Sequence, residues 1–186
     1  IRKIMTYRFL LFCEEVENFV MELMASPNTS FLELHRLILK ECDYSEIGNH
    51  KFIVCDENWK PKEKVHLSND DKVGFDEDMY LMEEAVLEDF IEDNAQRIAY
   101  IYDTDGRRKF LLELVEQIFG ENTEHTYIRR RKGTPPTQFL KNTDIDNIMP
   151  SIGATSADEI DTEESTTEDS FSEDELDLEG FEVSEQ

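Results

Sequence analysis

An α+β fold is predicted by three features of the sequence: short apolar runs bounded by turn residues, one well-capped amphipathic helix, and an abrupt change of charge after Lys141. The expected architecture is a mixed or antiparallel sheet of about five to six strands with one long and one short helix, followed by a disordered acidic C-terminal tail. The 186 residues carry 19 Lys and Arg against 44 Asp and Glu, a formal charge of −25. Residues 142–186 hold 16 of the acids and no base, while residues 1–141 hold 28 acids and all 19 bases. The predicted division is therefore a single domain over 1–141, large enough for a real core, and a tail over 142–186. Over 157–186, 14 acids and no Lys or Arg leave too little apolar surface to offset the entropy of ordering.

Ile4 to Cys13 is rich in aromatic and aliphatic residues and predicts a first strand, and Phe19 to Met24 predicts a second before the turn at Ser26 to Asn28. The helix signal is the strongest in the chain. Ser30 stands at the N-cap with Glu33 three residues on, the spacing of a capping box. Phe31, Leu34, Ile38 and Cys42 then recur as one apolar stripe, so the helix is expected to end near Cys42. His50 to Asp56 alternates around Phe52 and Val54 as a third strand, and Val65 to Leu67 predicts a short return after the turn at Asn58 to Pro61. Residues 68–79 form a polar, acid-rich loop, and apolar residues within Leu81 to Ile91 predict the short helix.

Two apolar runs flank Asp105 and Gly106, a leading two-residue hairpin turn because both central positions favour positive φ. Counting outward, Asp103 faces Arg108, Ile101 faces Phe110 and Ala99 faces Leu112. The predicted core face is thus Ala99, Ile101, Phe110 and Leu112, with Tyr100, Tyr102, Lys109 and Leu111 on the other. A final strand is expected at Thr126 to Arg129, followed by a basic run and the breaker Gly133 to Pro136.

Phe31 to His35 (FLELH), His50 to Phe52 (HKF), Tyr100 to Asp103 (YIYD) and Gly133 to Pro136 (GTPP) occur in an order and spacing that resembles the plasmid pRiA4b ORF-3-like family over roughly residues 5–138. The chain looks like a divergent member. The family's Phe-Gly-Asp after the aspartate is Thr104, Asp105 and Gly106 here, its following Trp and His fall on Arg108 and Phe110, and its Glu-Asp after the paired prolines is Thr137 and Gln138. The resemblance implies an α+β domain of bacteria and archaea, often encoded near mobile elements, some of whose relatives are called resolvase-like.

The sequence argues against carrying recombinase chemistry over. A serine recombinase needs a nucleophilic Ser among Arg residues that neutralise the phosphoryl charge, and no Ser lies near Arg107, Arg108 or Arg129 to Arg131 in sequence. Cys42, His50, Cys55 and His66 lack the short ligand pairs of structural zinc sites. The Gly and Glu positions of a calcium loop beginning at Asp103 are occupied by Arg108 and Leu114. No glycine motif of a phosphate-cradling type occurs. His35 reads as a helix-flank histidine satisfied by a carboxylate, ahead of a ligand or base. No catalytic, cofactor or metal site is therefore expected.

No stretch approaches the ~18 apolar residues of a membrane span, and three sparse cysteines without an export signal fit a reducing cytoplasm. The expected activity is that of a non-enzymatic interaction or adaptor domain with a protein partner. The alternative is an accessory nucleic-acid-associated protein of a mobile element. It would use Arg107, Arg108 and the run Arg129, Arg130, Arg131 and Lys132 for anion or nucleic-acid contact under control of the acidic tail. The net charge disfavours that alternative, and the basic run reads first as a dock for the protein's own acids or as a guard on an edge strand. In the tail, Phe171, Leu176, Leu178 and Phe181 among acids resemble an acidic-hydrophobic interaction motif, set against a plain solubilising brush.

Overall fold

The Ser30 hydroxyl accepts the Glu33 backbone N–H at 3.1 Å, and α1 (Phe31–Cys42) follows from that cap. Only half of a capping box forms, because the Glu33 carboxylate accepts the N–H of Thr126 at 3.0 Å. Replacing Ser30 by Ala should lower stability by about 1 kcal/mol, read by thermal or denaturant unfolding. The computed structural model describes residues 4–68 and 79–140. Around α1 run β1 (Met5–Phe12), β2 (Val20–Ala25), β3 (Lys51–Cys55), β4 (Pro61–His66), β5 (Met79–Leu81), β6 (Arg97–Ile101), β7 (Lys109–Phe119) and β8 (Tyr127–Lys132). They form one mixed sheet in the order β5-β4-β3-β6-β7-β1-β2-β8, antiparallel throughout except for the β4–β5 pair.

The α+β class stands, with eight strands in place of five or six and one helix in place of two. The segment expected as a short helix opens with the end of β5 and contains only a 3₁₀ turn at Leu87–Asp89. Its backbone is claimed by α1. Ala85 and Met82 carbonyls accept the N–H groups of Phe31 and Leu32 at 3.0 and 2.8 Å, and Leu87 N–H returns to the Thr29 carbonyl. Those donors of the first helical turn have no partner within the helix, so satisfying them from outside outweighs a local helical preference. Met82 and Leu87 are fully buried by this arrangement.

The hairpin also differs. Tyr100 pairs with Phe110, Ile98 with Leu112 and Ala99 with Leu111. The loop is longer than two residues: Tyr102 N–H reaches the Arg108 carbonyl, and Asp103 Oδ1 accepts the backbone N–H groups of Arg107 and Arg108 at 2.9 and 3.0 Å. A one-residue shift exchanges faces. Tyr100 and Phe110 thus join the core face with Ile98 and Leu112, while Ala99, Ile101 and Leu111 lie on the opposite face.

The core fills the space between α1 and one sheet face. Phe31, Leu34 and Ile38 meet Phe9, Met21, Leu23, Phe52, Phe110 and Leu112, all fully buried. Beyond β8, Gly133 has φ +75 and passes so close to the Asn18 backbone that a Cβ would sit 2.4 Å from its carbonyl oxygen. The following strap is anchored by Tyr44, whose hydroxyl donates to the Pro136 carbonyl, and by Gln138, which exchanges hydrogen bonds with both the N–H and the carbonyl of Ser45 at 2.7 Å. The tail expected over 142–186 and most of the excursion expected at 68–79 lie outside the described residues.

Candidate functional site

No described helix lies on the second face of the sheet, since α1 is the one α-helix of the described residues and packs on the first. Strand register assigns the side chains of that face. Ile53 pairs with Ala99 and Lys64, Lys51 with Ile101, Ile101 with Lys109, and Ala99 with Leu111. Phe12 pairs with Leu111, Leu10 with Glu113 and Glu22, Arg8 with Glu116, and Arg97 with Glu113. Glu22 pairs with Arg130 and Val20 with Lys132. Within the paired strands this face carries Arg8, Lys51, Lys64, Arg97, Lys109, Arg130 and Lys132 against Glu22, Glu113 and Glu116. A chain of −25 has therefore gathered an excess of bases on one surface.

A groove of about 410 Å³ opens on this surface. Ile53, Cys55, Ala99, Ile101 and Leu111 line it, with Trp59 and Pro61 along one side and Glu14, Arg107 and Lys109 also contributing. The wall is built by a tight turn in which Asp56 Oδ1 accepts the N–H groups of Asn58 and Lys60 at 2.8 and 3.0 Å. Trp59 takes φ +63 in that turn, a backbone conformation that costs a residue with a bulky side chain. Its ring lies under the Arg97 guanidinium, 5.0 Å from the ring centroid, and Arg97 also meets Glu113 at 3.4 Å. Arg107 and Lys109 are exposed and have no ion pair among the described residues.

The other cations singled out from the sequence are engaged, Lys132 excepted. Asp103, opposed to Arg108 in the expected register, takes its backbone N–H and not its guanidinium. The Arg108 guanidinium donates to both Glu15 carboxylate oxygens at 2.9 and 2.8 Å, and to the Thr137 and Gln138 carbonyls at 2.7 Å, while lying over the Tyr102 ring. It ties the hairpin to the strap. Arg129 is the extra residue of a bulge in the β2–β8 pairing, and Arg129 and Arg130 both approach Glu22, at 3.5 and 3.9 Å. Arg8 reaches the same carboxylate at 3.4 Å. Arg131 donates to the Glu41 carbonyl at the end of α1, at 2.6 Å. Lys132 has no ion pair among the described residues. The structure thus places Arg107 at the groove, Arg108 in the strap, and Arg129 to Lys132 along the opposite sheet edge.

His35 and His50 meet Tyr100 inside the core. The Ile47 N–H donates to His50 Nε2 at 3.2 Å, which places the His50 proton on Nδ1, facing the Ile101 carbonyl at 3.2 Å. The Tyr100 hydroxyl lies 2.8 Å from His35 Nδ1, and His35 Nε2 lies 3.3 Å from the Glu46 carboxylate. One proton order satisfies every partner: the Tyr100 hydroxyl donates to His35 Nδ1, and the His35 Nε2–H donates to Glu46. His35, His50 and Tyr100 are 0, 1 and 0% exposed, so the network is sealed from substrate. Burial pushes both histidine pKa values below their ordinary value, Glu46 opposing the shift at His35 and the Ile101 carbonyl opposing it at His50. The carboxylate expected beside His35 is Glu46, supplied by the segment after the helix.

Cys13, Cys42 and Cys55 are buried free thiols whose pKa values burial raises, that of Cys42 to about 12. All three therefore stay protonated near neutrality and are poor nucleophiles. Among the described residues no cluster of three or more His, Cys, Asp or Glu side chains is placed to hold a metal ion. No described helix is long and apolar enough to cross a membrane.

The four motif segments converge in space: FLELH supplies His35, HKF supplies His50, YIYD supplies Tyr100 and Asp103, and GTPP supplies the strap that Tyr44 holds. The model of the family described as plasmid pRiA4b ORF-3-like protein matches residues 17–184. The chain belongs to the plasmid pRiA4b ORF-3-like family. The match runs well past Gln138, where the motif resemblance ends. A crystal structure of a protein of unknown function from Methanosarcina mazei Go1 aligns with this family member at a TM-score of 0.52 and 16% identity, covering 68% of each chain, and shows a shared fold. No curated protein matches the chain.

Proposed function

We propose that this domain is a non-enzymatic cytoplasmic adaptor that binds a protein partner on the helix-free face of its sheet. One observation carries the reading: that face holds an apolar-floored groove where Arg107 and Lys109 make no ion pair among the described residues and stand against a single lining acid, Glu14. The titratable residues that resemble chemistry, His35, His50 and the three cysteines, are instead buried and neutral. Exposed apolar recesses rimmed by polar residues are the usual form of an interaction site. Tagged full-length chain should capture a discrete protein from its native host, and the double variant Arg107→Glu with Lys109→Glu should lose it by tenfold or more. Both positions are exposed, so the fold should survive; equal capture by the variant would remove this face from the function.

The alternative, an accessory nucleic-acid-associated protein of a mobile element, has its support in the basic edge strand β8. Two of the four cations there are already directed at Glu22 and a third at a helix-end carbonyl, which reduces the charge left for phosphates. Salt-dependent DNA binding lost on neutralising Arg129 to Lys132 would favour it.

A further inference from the structure

We infer that the partner of this groove is an acidic peptide in extended conformation, anchored by one large apolar side chain; this rests on the adaptor reading and specifies its ligand. Three independent features of the surface select that chemistry. The first is the floor, where Ile53, Cys55, Ala99, Ile101 and Leu111 present uncharged, largely apolar side chains beside the Trp59 ring. Its volume, about 410 Å³, sits at the low end for ligand sites and suits one aromatic or branched side chain with flanking backbone. The second is the border. The lining itself holds Arg107 and Lys109 against one acid, Glu14, and just outside it Lys51 and Lys64 sit across the register from the floor residues Ile101 and Ile53, with Lys109 opposite Ile101 on the other side. Together with Arg107 these cations make no ion pair among the described residues, whereas Arg97 is held by Glu113 and Trp59. Cations left unpaired around an apolar floor complement carboxylates that flank an apolar side chain, and they speed encounter with such a segment.

The third feature concerns what the site lacks for a nucleic acid. Bases bind through stacking on aromatic faces, and the one aromatic ring of the groove, Trp59, has a face taken by Arg97. The Asp56 turn and the Arg97 guanidinium over the Trp59 ring hold the wall in place, so the recess is pre-formed and the cost of ordering falls mainly on the peptide.

The test uses the full chain and a fluorescein-labelled peptide, Asp-Glu-Glu-Phe-Asp-Glu-Glu, followed by anisotropy at about 20 and about 200 mM salt, a range over which exposed charge pairs respond. Saturable binding is expected, weakening with salt. It should fall about tenfold or more when the peptide Phe becomes Ala, as loss of a buried aromatic requires. It should fall comparably for Arg107→Glu with Lys109→Glu, while Lys40→Glu, on the helix away from this face, leaves it unchanged. Absence of binding would overturn the inference. So would equal affinity for the Ala peptide, or tighter binding of an oligothymidylate of matched charge. If the peptide fails while capture of the host protein still depends on Arg107 and Lys109, the ligand chemistry is wrong and the adaptor reading stands. If both fail, both are lost.

Discussion

Phe110→Ala should destabilise the protein by about 3–5 kcal/mol, measured by denaturant unfolding, because a fully buried ring is removed from a well-packed site. Phe110 is the centre of an aromatic cluster: its ring centroid lies 4.6 Å from Tyr102, 5.7 Å from Phe19 and 5.9 Å from Tyr44. Those three residues lie just after β6, just before β2 and two residues beyond α1, so the cavity would open where helix, sheet and strap join. Tyr44 and Tyr102 also have hydroxyl partners, Pro136 and Glu15, which restrict how far the rings can collapse into the space. A loss below about 1 kcal/mol would mean that Phe110 is not packed as described.

The second large effect lies in the His35–Tyr100–His50 network. Tyr100→Phe should cost about 1–3 kcal/mol, since His35 Nδ1 would be left as a buried acceptor without a donor. The same network makes the wild type acid-sensitive. Both histidines have folded-state pKa values depressed below the ordinary 6.5, so the unfolded chain takes up protons that the folded one refuses. Their contribution is complete above about pH 6.5 and is lost as pH falls below it toward the folded-state values. The melting temperature should therefore drop on going from about pH 7 to 5, and the His35 and His50 imidazole resonances should titrate below the ordinary 6.5. Titration at or above that value would contradict the sealed network.

Helix α1 was legible in the sequence almost to the residue, because its determinants are local: Ser30 as cap, Glu33 three residues on, and a stripe from Phe31 to Cys42. The strands were legible in place except β5 and the first part of β4, which were read as loop, helix and turn, and their pairing was less legible. Asp105 and Gly106 suggested a two-residue turn, yet the Asp103 carboxylate gathers the N–H groups of Arg107 and Arg108 and makes the loop longer. That single residue of slip exchanged the faces of Ala99 and Ile101 with those of Ile98 and Tyr100, and so concealed the floor of the groove. A signal was available: Tyr100, Tyr102 and Phe110 carry the rings nearest the turn, and pairing Tyr100 directly with Phe110 places all three on one face, in the core. The helix expected over Leu81 to Ile91 failed for a non-local reason, the demand of the α1 N-terminus for acceptors. Trp59 as a groove wall had no sequence signal beyond its place in a turn. Among the cations, alternation along single strands does not reveal that Lys51, Lys64 and Lys109 border one recess; sheet order does.

Lysine acetylation footprinting of the full chain, free and bound to its captured host protein, tests the central claim most directly. Lys51, Lys64 and Lys109 should lose reactivity on binding, while Lys40, on α1 and away from this face, should keep it. Unchanged reactivity at Lys51, Lys64 and Lys109, with protection confined to Lys40 or Lys132, would contradict an interaction surface on the helix-free face of the sheet.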